Sequence, residues 1–372
     1  MRYHAAGEGS ESPIDRLVDA VESAVSVGIR ELCCRLGVAG RSFGRSAENL
    51  KEAAQISMSE EMLRTVVESE GKAVLKASEQ EQLELDWSAS DCKVQTPSGQ
   101  EVSRMYVSAD GVLVPVTMAV EKEKRRTTVL VKRQTMPRKQ RGRLGRLGAV
   151  KKGSDQRYKQ VYVSIFYDQT KEHRLVGVTR KNHHGLGKLL RREAARVRLR
   201  AATERVGLVD GAVCLRNHLE VLPLEAVLLD FFHLSEHVND ASRKTLGEKT
   251  ETGQTWVQDV LHTLKHEGYE PFFEKLADWR GGLRGGKRKE ADRLLNYVAE
   301  RQAMMKYDEC QKRGWDMGTG PMESMCGVTT DRIKGRGRRW DLDNAESLMA
   351  LEALYQSNLW DAYWAKALCS QN

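Results

Sequence analysis

Residues 204–237 read ERVGLVDGAVCLRNHLEVLPLEAVLLDFFHLSEH. Two short apolar runs in it, 206–209 and 226–229, each end in an aspartate, Asp210 and Asp230. Runs of this length, rich in branched side chains and without polar alternation, are expected of strands buried on both faces. Residues 211–223 between them suffice for a short helix, so the stretch is expected to fold strand–helix–strand. In open α/β sheets chemistry is mounted at the carboxyl ends of such strands, and two aspartates there would point into one cleft. The same residues also have a purely local reading. Asp210-Gly211 is a strong turn dipeptide, and Asp230 can N-cap the helix that follows it.

Upstream, MYVSADGVLVPV (105–116) predicts a strand ending near Asp110, followed by a second Asp-Gly. KQVYVSIFYD (159–168) and HRLVGVTR (173–180) alternate and are joined by the polar turn 169–172, which reads as a hairpin. A basic helix over about 184–203 leads back to the opening stretch. Three antiparallel-type strands followed by α/β units argue for an α/β fold with a mixed sheet. Downstream, Trp256, Val257, Val260, Leu261 and Leu264, then Phe272, Phe273, Leu276 and Trp279, are helically spaced around a basic break, RGGLRGGKRK (280–289). Residues 235–315 therefore read as a helical insertion. Gly320-Pro321 reads as a helix start that puts Glu323 in the first turn. Asp343-x-x-Glu346 is expected to cap a last amphipathic helix carrying Leu348, Met349 and Leu354.

Residues 13–80 read as helices. Phe43, Ala47, Leu50 and Ala54 form one stripe, and Ser57-x-x-Glu60 is expected to open a second helix with Met62, Leu63, Val66 and Val67. The pair fits a helix-turn-helix, yet Glu60, Glu61, Glu68 and Glu70 outnumber Arg64 and Lys72 on the second helix, a poor face for phosphates. A packing or oligomerisation module is the other reading. Residues 84–100 are expected to be a polar connector. The expected organisation is a helical module over 1–83, a first core part over 101–234, the insertion over 235–315, and a last core part over 316–372.

The chain has 372 residues, 40% hydrophobic and 30% charged, which suits two or three folded domains and excludes a disordered or membrane-embedded protein. Its net charge is +8. Residues 121–159 hold fifteen Lys and Arg against Glu121, Glu123 and Asp155, a local +12, so the rest of the chain sums to −4. The basicity is a local device suited to a polyanion. This excursion, with GRLGRLG (142–148) inside it, is expected to be a loop. Seven cysteines without a C-x-x-C suggest neither a disulfide framework nor a zinc site. No leader and no membrane span is evident, so a soluble intracellular protein is expected. Trp256, Trp279, Trp315, Trp340, Trp360 and Trp364 are expected in the core. Arg332, Lys334, Arg336, Arg338 and Arg339 follow Glu323 closely, and could equally contact phosphate or form a solvated face. His183-His184 falls in a polar turn without an evident role.

Asp110, Asp210 and Glu323 are a donor set of oxygens alone, the kind Mg²⁺ or Mn²⁺ prefers. Two such ions can activate an attacking oxygen and stabilise the leaving oxygen of a phosphodiester. The segments VSADGVLVPV, ERVGLVDGAVCLRN, LLDFFHLSEH, GTGPMES and GRGRRWDLDNAESLMALEALYQSNLWDAYW together resemble the DDE transposases of bacterial insertion sequences, most closely the Kra-type group, relatives of the Mutator-like transposases. The resemblance runs over about residues 42–364, and SFGRSAENLKEAAQISMSEEMLRTVVESEG resembles the family's N-terminal helical part. It implies an RNase H-like fold, catalytic and metal-holding Asp110, Asp210 and Glu323, and two Mg²⁺ or Mn²⁺ ions. It further implies double-stranded DNA as partner (element ends and target), a homo-oligomer on DNA, and a bacterial cytoplasmic, nucleoid-associated setting. Asp230 and His233 match the family's D-x-x-H motif and would be supporting residues. Thr319 and Met322 stand where the family usually has serine and valine. The basic excursion, with Arg138, Lys139, Arg141, Arg143, Arg146, Lys151 and Lys152, and the later Lys334, Arg336, Arg338 and Arg339, would hold the DNA backbone. Two other readings are a non-catalytic DNA-binding derivative and, through H-x-x-E-H at 233–237, a zinc peptidase.

Overall fold

The sheet is assembled around one long strand, β2 (Glu101–Pro115). The computed structural model describes residues 25–369 apart from 142–144, 146, 150 and 151. β1 (Lys93–Gln95), a short strand inside what reads as the polar connector, pairs antiparallel with the start of β2. β3 (Tyr158–Tyr167) runs antiparallel to β2 from Tyr106↔Tyr167 to Pro115↔Tyr158, and β4 (Arg174–Thr179) closes the expected hairpin on β3. β5 (Glu204–Val209) lies parallel to β2, and β6 (Ala226–Leu229) parallel to β5. The six-stranded mixed sheet has the order β4-β3-β2-β5-β6, with β1 off this path. The α/β class and the mixed sheet are as expected. β5 and β6 are almost wholly buried, the condition their uninterrupted apolar runs require.

Among the described residues three helices precede the sheet: α1 (Val27–Ala39), α2 (Phe43–Ala54) and α3 (Glu60–Glu79). Ser59, not Ser57, caps α3, its side chain accepting from Met62 N at 3.2 Å. The expected loop at 121–159 is instead helical over its first half: α4 (Ala119–Thr135) and the single turn α5 (Arg138–Arg141). The run 119–135 contains no glycine or proline, and helix formation follows from that despite the charge. Glu121 reaches back to Met118 N at 3.1 Å, and the residue before Pro137 is extended, ending the helix. Arg143, Arg146 and Lys151 lie outside the described residues, as do residues 1–24.

Helices α6 (His183–Arg196) and α7 (Val213–Glu220) are the crossovers on the sheet, with a 3₁₀ turn at Leu199–Ala201. The helical segment 231–313 comprises α8 (Phe231–Leu246), α9 (Glu251–His266), α10 (Tyr269–Gly281), α11 (Gly285–Ala299) and α12 (Tyr307–Arg313). The basic break shrinks to the few residues between α10 and α11. Then come α13 (Gly320–Lys334), α14 (Leu342–Gln356) and α15 (Trp360–Cys369). No helix among the described residues is long and apolar enough to cross a membrane.

α14 is neither the last helix nor amphipathic. It sits between β4, α3 and α13, with Ala345–Leu351 buried without interruption. Its expected capping pair is used otherwise. Arg180, just past β4, draws Asp343 (2.8 Å) and Glu346 (2.7 Å), and Glu346 also accepts from Arg180 N at 2.8 Å. α3 approaches α14 so closely that a Cβ on Gly71 would collide with the Ser347 carbonyl. The N-terminal helices are thus packed into the same core as the sheet. Trp315, Trp340, Trp360 and Trp364 are buried, and the partly buried Trp256 and Trp279 pack on each other with ring centroids 4.4 Å apart.

One charged pair is locked inside. Arg104 on β2, 1% exposed, donates to Glu204 on β5 at 2.6 Å, to the carbonyls of Gly314 and Arg313 at 2.7 Å each, and to Gln169 at 3.0 Å. Glu204 also accepts from Trp315 Nε1 at 2.9 Å. These bonds tie the start of the parallel strands to the segment that leads into α13.

Candidate active site

The pairing of β2 with β5 stops at Ser108↔Leu208, where Ser108 Oγ donates to Leu208 O at 2.7 Å. β5 ends one residue later and the chain turns away at Gly211, whose φ of +95° suits glycine. β2 continues, held by β3 alone, so a crevice opens beside it. Asp110 stands there. It is not at a strand end but within β2, opposite Val163, because the long hairpin with β3 overrides the turn tendency of Asp110-Gly111.

Asp210 lies on the other side of this crevice, its Oδ1 accepting from Ala212 N at 3.0 Å. The turn is braced from the helical segment by Arg301, which donates to Gly211 O at 3.2 Å and stacks over Tyr297 at 4.0 Å. Glu323 comes from the first turn of α13, where Pro321 begins the helix without a missing donor. Asp110, Asp210 and Glu323 line one cleft together with Asp230, Phe232, His233, Glu236, Thr319 and Met322.

Four of these five acids, Glu236 aside, differ in how far the protein already occupies them. Asp230 is buried and caps α8, its Oδ1 accepting from Phe232 N (2.7 Å) and His233 N (3.0 Å). Its Oδ2 accepts from Thr319 N (2.7 Å) and from the Thr319 hydroxyl. Asp110 accepts from Gly111 N at 2.5 Å and has only a distant thiol, Cys326 at 3.8 Å, on its other oxygen. Among the described residues no hydrogen bond reaches Glu323's carboxylate or Asp210's second oxygen. Burial first, and then the charge of Asp210, hold the Asp110 carboxyl above its usual range, against the Gly111 N–H, Cys326 and Lys334. Partly dry carboxylates with uncommitted oxygens and mutual repulsion suit a hard divalent cation, which would reverse that shift. The three donors are not drawn into a tight cage; the triads within 4.8 Å among the described residues lie elsewhere.

Both local readings of the aspartates therefore hold: Asp210 opens a turn and Asp230 caps a helix. Only Asp230 is used up by its local role. Asp230→Ala is expected to lower stability by about 2–4 kcal/mol, combining a lost N-cap with buried donors left unmatched. Urea denaturation followed by circular dichroism measures this. A midpoint unchanged from the parent would mean that the Asp230–Thr319 bonds do not fasten α13.

The H-x-x-E-H segment is helical. His233 and His237 both lie in α8, on one face, with ring centroids 5.0 Å apart. Glu236 pairs with His233 at 3.5 Å and His237 packs on Tyr297 at 4.0 Å. No third metal-binding side chain joins them among the described residues, so the zinc-peptidase arrangement is incomplete.

The basic candidates separate clearly. Arg138, Lys139, Arg141, Lys152, Lys334 and Arg336 are exposed. Arg338 donates to Arg332 O at 2.6 Å, and Arg339 pairs with Glu121. Arg332 is neither a phosphate contact nor solvated. It is buried against Phe43 (4.8 Å) and Trp340 (5.1 Å) and donates to Gly37 O, and burial, with Arg338 next, pulls its pKa down to about 10. The sequence reading missed Phe232, 69% exposed at the mouth of the cleft. The Phe-Phe doublet was its signal, since only Phe231 packs inward, on Tyr307 at 5.1 Å. It also gave no sign that the charge of Lys334 acts on Asp110. No family model matches the sequence, and no curated protein matches it.

Proposed function

We propose that the chain is a DDE-type transposase of a bacterial insertion sequence, with an RNase H-like core in which Asp110, Asp210 and Glu323 serve cleavage and strand transfer on DNA. The observation that carries this reading is the convergence of three acids, distant in sequence and borne by a strand, a strand-end turn and a helix start, on one cleft. The sheet supports it: three antiparallel strands, β4-β3-β2, continued by two parallel strands reached through helical crossovers. When bound by these acids, Mg²⁺ or Mn²⁺ ions would supply an activated attacking oxygen and a stabilised leaving oxygen.

The protein's own groups have defined work in this scheme. Asp110 and Asp210 present carboxylate oxygens from the two walls of the crevice. Asp230 fixes Thr319 and with it the helix start that carries Glu323. Lys334, whose charge reaches Asp110, balances some of the negative charge of a phosphodiester brought into the cleft. Water attacks the phosphodiester at an element end and breaks its P–O3′ bond, freeing a 3′-OH; that hydroxyl then attacks a target phosphodiester and displaces the target strand's own 3′-oxygen. The test is incubation of the protein with Mg²⁺ and a plasmid carrying its coding region in its native flanks. Breaks at two fixed flanking positions are expected. Binding without any cleavage would favour the non-catalytic derivative.

α4 and α5 supply the duplex-binding surface on this reading. Neither helix has a buried residue. Replacing Lys124, Arg125, Lys132, Arg138 and Lys139 with alanine is expected to flatten the salt dependence of DNA affinity. Each phosphate that the variant no longer neutralises takes about 0.9 off the slope of log K against log salt. The fold should be untouched. An unchanged slope in fluorescence-anisotropy titrations would leave these helices without a DNA role.

A further inference from the structure

Away from the acid cleft, the first turn of α6 faces α7. α6 begins His183-His184, and α7 carries Cys214 and His218 four residues apart, hence on one helical face. One ligand atom each of His183, Cys214 and His218 lies within 4.8 Å of the others. The His183 and His218 rings are 5.7 Å apart, and His184 stands 3.9 Å from His183. Cys214 is an exposed free thiol, so an ion has access to it. His218 rests against the backbone of α6 at Gly187, in space that a Cβ there would take.

We propose that His183, Cys214 and His218 form a binding site for a transition-metal cation of the Zn²⁺ class, fastening the start of α6 to α7. Two imidazoles and a thiolate are the ligands such borderline-soft ions take, and ones that Mg²⁺ avoids. Ligand bonds of about 2.0–2.3 Å in a tetrahedron need donors about 3.3–3.7 Å apart, so small side-chain rotations close the site. The fourth position is left to water. Binding releases the thiol proton to solvent as the sulfur–metal bond forms. Burial, followed by the neighbouring His183, Arg191 and His184, holds His218 below the usual histidine range, in the neutral form that ligates. Arg191 opposes a cation, and the Cys214 thiolate offsets it.

The second triad, Cys92, Asp168 and His173, is different in kind. Its Asp168 already accepts from the His173 ring (3.0 Å) and Thr170 (2.9 Å), and burial pushes the Cys92 thiol up to about 12. It braces the β3–β4 turn. The α6–α7 site, by contrast, sits at the base of the turn bearing Asp210, four residues before Cys214, so an ion there would stiffen the segment that holds one wall of the crevice.

The test uses the full chain, stripped with chelator and titrated with Co²⁺ as a spectroscopic probe, then with Zn²⁺. One equivalent of Co²⁺ is expected to give a thiolate-to-metal band in the near ultraviolet and tetrahedral visible bands, both displaced by Zn²⁺. Cys214→Ser should abolish the near-ultraviolet band, and His183→Ala or His218→Ala should weaken binding more than about tenfold. Cys369→Ser should retain the band. Zn²⁺ should raise the melting temperature of the parent and not that of Cys214→Ser. Absence of a thiolate band, or equal binding by folded Cys214→Ser and His218→Ala, would overturn the proposal. No arm depends on DNA cleavage, so its outcome is independent of the transposase reading.

Discussion

On the transposase reading, Asp110→Asn, Asp210→Asn and Glu323→Gln should each lower Mg²⁺-dependent DNA cleavage by about three orders of magnitude or more, with DNA affinity and melting temperature nearly unchanged. Each change removes one negative oxygen at nearly constant volume. Metal-assisted charge stabilisation contributes several kcal/mol to such a barrier, and about 1.4 kcal/mol is a factor of ten in rate. Stability should survive because these carboxylates carry few internal bonds: one backbone N–H each for Asp110 and Asp210. Asp110→Asn should if anything stabilise slightly, since it removes a partly buried charge facing Asp210. Asp230→Asn separates the two kinds of aspartate. Its amide would set a donor against Thr319 N–H, so any loss of activity should come with a loss of stability. Cleavage at parental rates in all three isosteric variants would remove the transposase mechanism. Parental cleavage by Asp210→Asn beside an inactive, stably folded Asp230→Asn would move the function to Asp230.

The second large effect lies far from the chemistry. Glu204→Ala should destabilise the protein by about 3–5 kcal/mol, because it strands the Arg104 guanidinium in a place that water does not reach. That is a large part of the roughly 5–15 kcal/mol by which domains are stable. Arg104→Met combined with Glu204→Leu should recover much of the loss, as removing both charges lifts the desolvation penalty. The remaining deficit should come from the Gly314 and Arg313 carbonyls and Trp315 Nε1, which lose their partners. Chemical denaturation of the three proteins decides this. A Glu204→Ala midpoint within experimental error of the parent would mean that the pair is not sealed.

Much of the architecture was legible where hydrophobic pattern and turn chemistry agreed. The runs ending at Asp210 and Asp230, the hairpin around residues 169–172, and the Pro321 helix start all lie where the pattern puts them. Three of the errors share a cause: local tendencies yielded to partners distant in sequence. Asp110-Gly111 looks like a turn and is pulled straight by β3. Asp343 and Glu346 look like a cap and are claimed by Arg180 just past β4. Arg332 looks like surface charge and is stacked between Phe43 and Trp340. Residues 119–135 mislead for another reason, since their charge masks the absence of helix breakers. The proximity of His183 to Cys214 and His218 was not legible, because nothing local relates the start of α6 to α7.

The bonds between Asp230 and Thr319, joined by Phe231 N donating to Met317 O at 2.8 Å, have a meaning for how such chains are read. They fasten together the two points where the chain leaves the core after β6 and returns before α13. Everything between is enclosed like text inside parentheses. The number of residues separating Asp210 from Glu323 is therefore a poor yardstick: the enclosed text can lengthen at only slowly rising entropic expense while its brackets stay closed. A reader seeking the counterpart of Glu323 in a distant sequence does better to look for the matching brackets, an aspartate that ends a buried strand and a Thr-Gly-Pro that opens a helix, than to count.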